Sequence, residues 1–343
     1  MLEITTPCCT ELCMKHTFGV LLSLLIAMGT LGAQGTQEAA SFPNPEKSIT
    51  IIVPQGAGGG TDTQTRKLAA AMESVSGQKI LVENVKGGST GIGTNQVIDS
   101  PADGYTLLMY GTYVVCGTMT GNTIGPDGLD FITGLTMEPF MIAVRSDAPY
   151  QNLGDLIQAA KANPGKISLG NAGATATTGV VAYGMDIACG NIFNVIDCNG
   201  GAELIPYVLG GHINVGIFSQ SEVQQNAGQL RPLCFLGDGH SVIPEFTSVP
   251  NLKDAGYGNL NIPGGCFRGI CAPKGTPDQA KQWLADTIEK AFNTKEFQAY
   301  LKSSGLLAEF TKLDDFKKYN DNLMKTMQPI IKATGKAQGK YAE

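Results

Sequence analysis

One stretch most restricts what this chain can fold into: Ile51-Ile52-Val53-Pro54-Gln55-Gly56-Ala57-Gly58-Gly59-Gly60-Thr61-Asp62. It predicts a short buried strand over 50–53, a glycine-dense turn, and a helix over 61–76. Leu68, Met72 and Val75 recur at spacings of four and three, which places them on one helical face. Gly77 supplies the C-terminal stop. A strand that ends in glycines and opens a helix presents bare backbone amides at the helix start, a ready place for an anion. The loop carries no Lys or Arg, so amides and the helix dipole would have to hold that anion.

The alternation continues along the chain. A second strand is expected over 79–83, a glycine-rich loop over 84–93, a short helix running to Asp99, and a third strand over 105–110 that ends at Gly111-Thr112. Strand–helix–strand repeats of this kind build a parallel sheet with right-handed crossovers. Ligands then sit beyond the carboxyl ends of the strands. A further set of strands is expected over 140–144, 167–170, 193–197, 215–218 and 233–236. In it a helix from Asn152 carries Leu153, Leu156, Ile157 and Ala160 on one face. The loop over 171–179, Asn-Ala-Gly-Ala-Thr-Ala-Thr-Thr-Gly, repeats the opening theme of small residues leading into a helix. Charged helices over 277–292, 295–304 and 313–336 close the chain. At 343 residues the length favours two domains. The expected division is 48–144 with 262–343 as the first and 145–261 as the second, with a ligand cleft between two sets of glycine loops.

A net charge of −6 argues against nucleic acid and anionic membrane surfaces as partners. Met14-Lys15-His16, the apolar run from Phe18 to Met28 and the small residues to Ala33 have the layout of a secretory signal peptide over 1–33. The run is far short of the roughly 20 residues that span a bilayer. Six cysteines follow it: Cys116, Cys189, Cys198, Cys234, Cys266 and Cys271. Their fifteen possible pairings are open, a bridge between Cys189 and Cys198 among them, as is the reading of all six as buried thiols. With two histidines beyond the signal, His212 and His240, and no Cys-x-x-Cys, a zinc site has little support.

Val53-Pro54 followed by Gly58-Gly59-Gly60-Thr61-Asp62 and Arg66 resembles the receptors of tripartite tricarboxylate transporters, the Bug or TctC family. The resemblance continues in Val82-Glu83-Asn84, Gly87-Gly88, Gly91-Ile92-Gly93 and Ala102-Asp103-Gly104-Tyr105-Thr106-Leu107-Leu108. It returns in Gly210-Gly211-His212-Ile213-Asn214-Val215 and Ala272-Pro273-Lys274-Gly275-Thr276-Pro277, in family order over nearly everything after residue 47. It implies a type II periplasmic-binding-protein-like α/β fold and an extracytoplasmic, monomeric receptor without cofactor or catalysis. The ligand would be a small carboxylate: a di- or tricarboxylate, an amino acid or an aromatic acid. The membrane partners would be a small TctB-like and a large TctA-like subunit. By the same resemblance Gly56, Ala57, Gly58, Gly59 and Thr61 would hold one carboxylate, partly through water. Asp62, favoured at a helix start by the dipole, is a second candidate there, and Thr112 could add a hydroxyl.

The chain departs from the family pattern where Gly-Ser-x-x-His-Leu is usual and Thr175-Ala176-Thr177-Thr178-Gly179-Val180 stands. It departs again at Cys198-Asn199-Gly200-Gly201, where Tyr-x-Gly-Gly is common. Thr175, Thr177, Thr178, Asn199 and Gly200 are therefore expected to set specificity, and Glu203 would favour an amine if it faced the cleft. Two other readings stay open. An exported sensor presenting its ligand to a histidine kinase would use the same pocket. A dinucleotide oxidoreductase would use Gly56-x-Gly58 with Glu83 as the ribose acid, but Thr61 occupies the last glycine position of that motif.

Overall fold

The computed structural model describes residues 42–198, 200–237 and 239–343; the signal peptide read over 1–33 lies outside the described residues. β1 (Ile49–Val53) leads through α1 (Gly60–Ser76), β2 (Ile80–Asn84) and α2 (Gly91–Ile98) to β3 (Thr106–Gly111) and α3 (Thr112–Met119). β4 (Leu129–Arg145) follows, then α4 (Leu153–Ala162), β5 (Ile167–Asn171), α5 (Thr177–Cys189), β6 (Phe193–Asp197), α6 (Gly201–Leu209) and β7 (Val215–Ser219). α7 (Gln220–Gln225), β8 (Leu230–Phe235), β9 (Gly265–Pro273), α8 (Asp278–Phe292), α9 (Lys295–Ser303), β10 (Leu307–Lys312) and α10 (Leu313–Ala333) complete the order.

α1 forms for the reasons its sequence gives. Leu68 and Met72 are fully buried, whereas Val75 in the last turn is 37% exposed. Gly77 ends the helix at φ 70°, its N–H bonded to the Glu73 carbonyl. The helix lies between β1 and β2, which pair in parallel, and β1 also pairs in parallel with β3. β5 pairs in parallel with both β6 and β7. So both crossover units carry their glycine loops at carboxyl ends of strands.

The sheet is mixed rather than parallel throughout. Its order is β2-β1-β3-β9-β4-β7-β5-β6, with β8 and β10 also on β4. β9 runs antiparallel to β3, and β4 antiparallel to β9. The strand expected over 140–144 is the second half of β4, a strand of 17 residues. Its first half, 129–139, pairs with β9, and Phe140–Val144 pair with β7. β4 therefore passes from one group of strands into the other. Gly265 permits that crossing: a Cβ there would lie 2.2 Å from the Glu138 carbonyl oxygen.

The C-terminal helix locks onto this frame through aromatic rings. Phe316 of α10 meets Phe131 of β4 edge-on at 4.9 Å and Tyr110 of β3 at 6.0 Å. The buried Tyr110 hydroxyl donates to Asn320 Oδ1 at 2.5 Å, which satisfies a polar group that would otherwise be costly inside. All six cysteines are free thiols, Cys189 and Cys198 included. Among the described residues no helix is long and apolar enough to cross a membrane.

Truncating the ring at the centre of this cluster tests its weight. Phe316→Ala is expected to lower unfolding free energy by about 3–5 kcal/mol, read as a shift of the urea midpoint at unchanged slope.

Candidate functional site

The start of α1 faces a cavity of about 580 Å³. Gly59 occupies the N-cap position with extended backbone and no capping side chain, and the first helical carbonyl to find a donor is that of Gly59, bonded by Thr63 N–H at 2.9 Å. The amides of Gly60 and Thr61 thus precede the helical ladder and find no hydrogen-bond acceptor among the described residues. One loop amide is already used: Gly58 N–H donates to Asp62 Oδ2 at 2.9 Å. Gly58 holds φ 81°, a conformation that disfavours any side chain.

The opposite wall is the start of α5. Ala176 is its N-cap, again without a capping side chain. The loop before it is held from within. Asn171 Oδ1 accepts Gly173 N–H at 2.7 Å, and Thr178 Oγ1 accepts Ala172 N–H at 3.1 Å. Gly179 lets the loop fold back tightly, because a Cβ there would meet the Gly173 carbonyl oxygen at 2.2 Å. Two helix starts, one after β1 and one after β5, therefore open toward the same space. Between them the hydroxyls of Ser89 and Thr175 meet at 3.3 Å. Ser89 and Thr90, at φ 47° and 75°, stand just before α2, whose first amides are taken by the carbonyls of Gly87 and Gly88.

Of the residues expected at the ligand, Gly58, Gly59, Thr61, Thr175, Thr177 and Thr178 line this cavity. Gly56 and Ala57 are exposed on the same loop but outside the lining. Asp62 lies beneath the loop, 3% exposed, its carboxylate engaged by Gly58 N–H and Arg66. Thr112 is fully buried, and its Oγ1 accepts Phe267 N–H at 2.9 Å, tying α3 to β9. Gly200 starts α6 at φ 118° away from the lining, and Asn199 lies outside the described residues. Glu203 also stays off the lining and engages the Tyr207 hydroxyl, raising that phenol's pKa.

The sequence reading missed the charged floor. Arg268 of β9 is 4% exposed. Its Nε donates to Thr61 Oγ1 at 3.1 Å, Nη1 to Gln64 Oε1 at 3.3 Å, and Nη2 to Glu138. Burial opposes its charge, but the Glu138 carboxylate outweighs that and holds its pKa above the ordinary value. Ser221 Oγ donates to Glu138 Oε1 at 3.1 Å. Glu222 also lines the cavity; its Oε2 accepts the Ser219 N–H at 2.7 Å and the Ser219 hydroxyl at 2.9 Å. Burial pushes the Glu222 carboxyl up, the Ser219 bonds oppose this, and nearby Glu138 adds to it. Two signals were present. Arg268 is a lone charge within the apolar run 265–273, and Ser219-x-x-Glu222 is a capping box after an apolar strand.

Among the described residues no group of three or more His, Cys, Asp or Glu could hold a metal ion. His212 packs edge-on against Tyr207, and His240 lies 3.6 Å from Asp254 on the surface.

Residues 64–336 match the model of the TctC family, described as the tripartite tricarboxylate transporter family receptor. A UPF0065 protein from the gbd 5′ region of Cupriavidus necator is 29% identical over 316 residues, 91% of this chain and 94% of that protein. A TctC solute-binding protein from Polaromonas, solved without ligand, has a TM-score of 0.72 at 28% identity, over 84% of this chain and 99% of that one. An R. palustris protein solved with adipate shares the fold, at a TM-score of 0.73 and 21% identity over 85% and 98% of the two chains.

Two outcomes follow from the loops. Gly179→Ala must displace the backbone of 173–174, so it is expected to cost about 1–3 kcal/mol and to speed hydrogen exchange at the Ala172 and Gly173 amides. Burial works against ionised Asp62, but the bonds from Arg66, Gly58 N–H and Asn84 prevail and depress its pKa below 3.8. Its stabilisation is complete above the unfolded value of about 3.9 and is lost as pH falls through the folded value. Asp62→Asn is therefore expected to be less stable than the wild type at pH 7, with the gap closing in acid, as measured by urea unfolding across pH.

Proposed function

The chain belongs to the tripartite tricarboxylate transporter receptor family, and from that premise we propose that its cleft captures a small organic carboxylate outside the cytoplasm and delivers it to the transporter's membrane subunits. The observation that carries the reading is the pair of uncapped helix starts, α1 and α5, opening on one cavity from two crossover units. Such a pair of dipole ends favours negative charge without a cationic side chain.

The magnitudes suffice. A hydrogen bond to a charged group contributes about 1.5–3 kcal/mol net. Four or five of them, less the cost of ordering the ligand, reach the roughly 8 kcal/mol of a micromolar complex. Arg268 supports the arrangement from below by fixing Thr61, and a cavity of about 580 Å³ lies in the range of small-molecule sites. The adipate held by the R. palustris protein of the same fold is a ligand of the chemistry proposed. In this reading 48–144 with 262–343 and 145–261 act as two lobes that close on the ligand about β4 and the segment before β9. The Ser89–Thr175 contact then belongs to the closed form. The small and the large membrane subunits of the transporter would be the partners that receive the ligand.

The test is a thermal-shift screen of the purified protein against di- and tricarboxylates, acidic amino acids and aromatic acids. A ligand at 100 times its Kd stabilises by about 2.7 kcal/mol. Gly59→Leu separates binding from folding. A Cβ at Gly59 meets only the Gly56 carbonyl oxygen at 3.7 Å, an ordinary contact, so Tm should hold while the side chain covers the open amides. Affinity for the identified acid is expected to fall at least tenfold, about 1.4 kcal/mol. Unchanged affinity would move the carboxylate away from α1.

A further inference from the structure

The cleft does not end at Arg268 and Glu138. A second cavity of about 320 Å³ adjoins it, and the two share Gly58, Gly60, Glu138, Ser221, Gln225 and Arg268 in their walls. The ion pair and the start of α1 thus stand at the junction of two chambers, one facing α5 and the other facing α9. Beyond the junction the walls are Thr63 in the first turn of α1, Gln224 of α7, Tyr300 and Ser303 of α9, and Ser304 and Leu306 in the turn to β10. Hydroxyls and an amide dominate this lining. Glu138 is engaged by Ser221 and Arg268, and Arg268 is spent on Thr61, Gln64 and Glu138, so the second chamber offers hydrogen bonds rather than free charge. Its far wall is held in place: the buried Gln220 amide of α7 donates to the Gly305 carbonyl at 2.9 Å and accepts the Ser241 hydroxyl. Tyr300 hydrogen-bonds Ser304 and lies within electrostatic reach of Arg268 and Glu138.

We propose that the second chamber receives an uncharged, hydroxyl-rich extension of the ligand, with Tyr300 and its neighbours on α9 as the residues that select for it. The proposal rests on the carboxylate-receptor reading above and deepens it, from organic acids at large to acids of the sugar-acid kind, charged at one end and carrying alcohol groups along the rest. The carboxylate sits at the helix starts of α1 and α5, and the hydroxylated chain runs past Glu138 toward α9. A second carboxylate on that arm would pass the Glu138 oxygens and meet no unpaired cation among the residues lining the chamber, a mismatch that costs affinity. A plain hydrocarbon arm would displace water from Gln224, Tyr300 and Ser304 without replacing its hydrogen bonds. A site built to bond hydroxyls discriminates strongly against an analogue that lacks them.

Isothermal titration with glycerate, gluconate and lactobionate tests the length of the hydroxylated arm, since each carries a single carboxylate. Adipate matches gluconate carbon for carbon but ends in a second carboxylate and has no hydroxyls. The wild type is expected to bind the better of gluconate and lactobionate at least tenfold tighter than either glycerate or adipate. Two variants place the gain on α9. Ser303 is exposed, so Ser303→Trp fills the chamber from its outer wall without entering the core. Tyr300→Phe keeps the ring and removes one hydroxyl. The first should abolish the gain and the second should cut it at least threefold, both with glycerate affinity unchanged. Equal weakening for short and long acids is what a purely structural α9 would give, and it overturns the assignment, as does a gain that both variants keep. Glycerate or adipate bound by the wild type as tightly as the longer hydroxylated acids overturns the second chamber and leaves the carboxylate receptor standing. No binding by any of the four, with no hit in the thermal-shift screen, overturns both.

Discussion

The passage of β4 from one group of strands into the other is the constraint on which the rest of the structure depends. A single strand of 17 residues pairs with β9 over its first half and with β7 and β8 over its second. Because the ladder is continuous, the two crossover units cannot choose their relative placement freely. The carboxyl ends of β1 and β5 are brought to one cavity, and the helices that follow them start there. Gly265 belongs to the same constraint, since any side chain would drive β9 away from Glu138 at the crossing. Glu138 and Arg268 stand where β4 and β9 pass, so a buried guanidinium lining the cleft is set there by strand register.

A buried ion pair is poor evidence of stability, because desolvation offsets much of its attraction. The Arg268 network makes better sense as positioning. Its guanidinium reaches Thr61 in the first turn of α1 and Gln64 one turn later, and Gln64 in turn donates to Thr136 of β4 at 2.8 Å. The helix start is thereby fixed to both strands of the crossing by directional bonds. Open amides are useful only if they are aimed, and glycines alone would leave them free to turn.

The reach of the sequence follows from how local each feature is. α1 and its loop were legible because the helical period, the glycines and Gly77 all fall within 30 positions, and the loop over 171–179 repeated the pattern. Asp62 and Thr112 carry the polar character of ligand groups at strand ends, but their atoms are spent on Gly58 and Phe267. Nothing local says which way such a side chain turns. The Arg268–Glu138 pair spans 130 positions, and the first half of β4, with its Gly134 and three threonine-or-proline interruptions at 133, 136 and 139, has neither helical nor strict strand alternation. Pairing with β9 makes it a strand, with register shifts at Phe131/Thr133 and Gly134/Thr136, so tertiary context overrides weak propensity there.

Glu222 shows why a local signature can be correct and incomplete. Ser219-x-x-Glu222 reads as a helix start, and both reciprocal bonds are present. Capping, however, asks only for an acceptor at the third position, which Gln supplies as well as Glu. The negative charge is surplus to that role, and burial makes it harder to keep. The fold answers that charge in another place: Oε1 sits beside Gly201 at the start of α6, and a helix start favours a negative group.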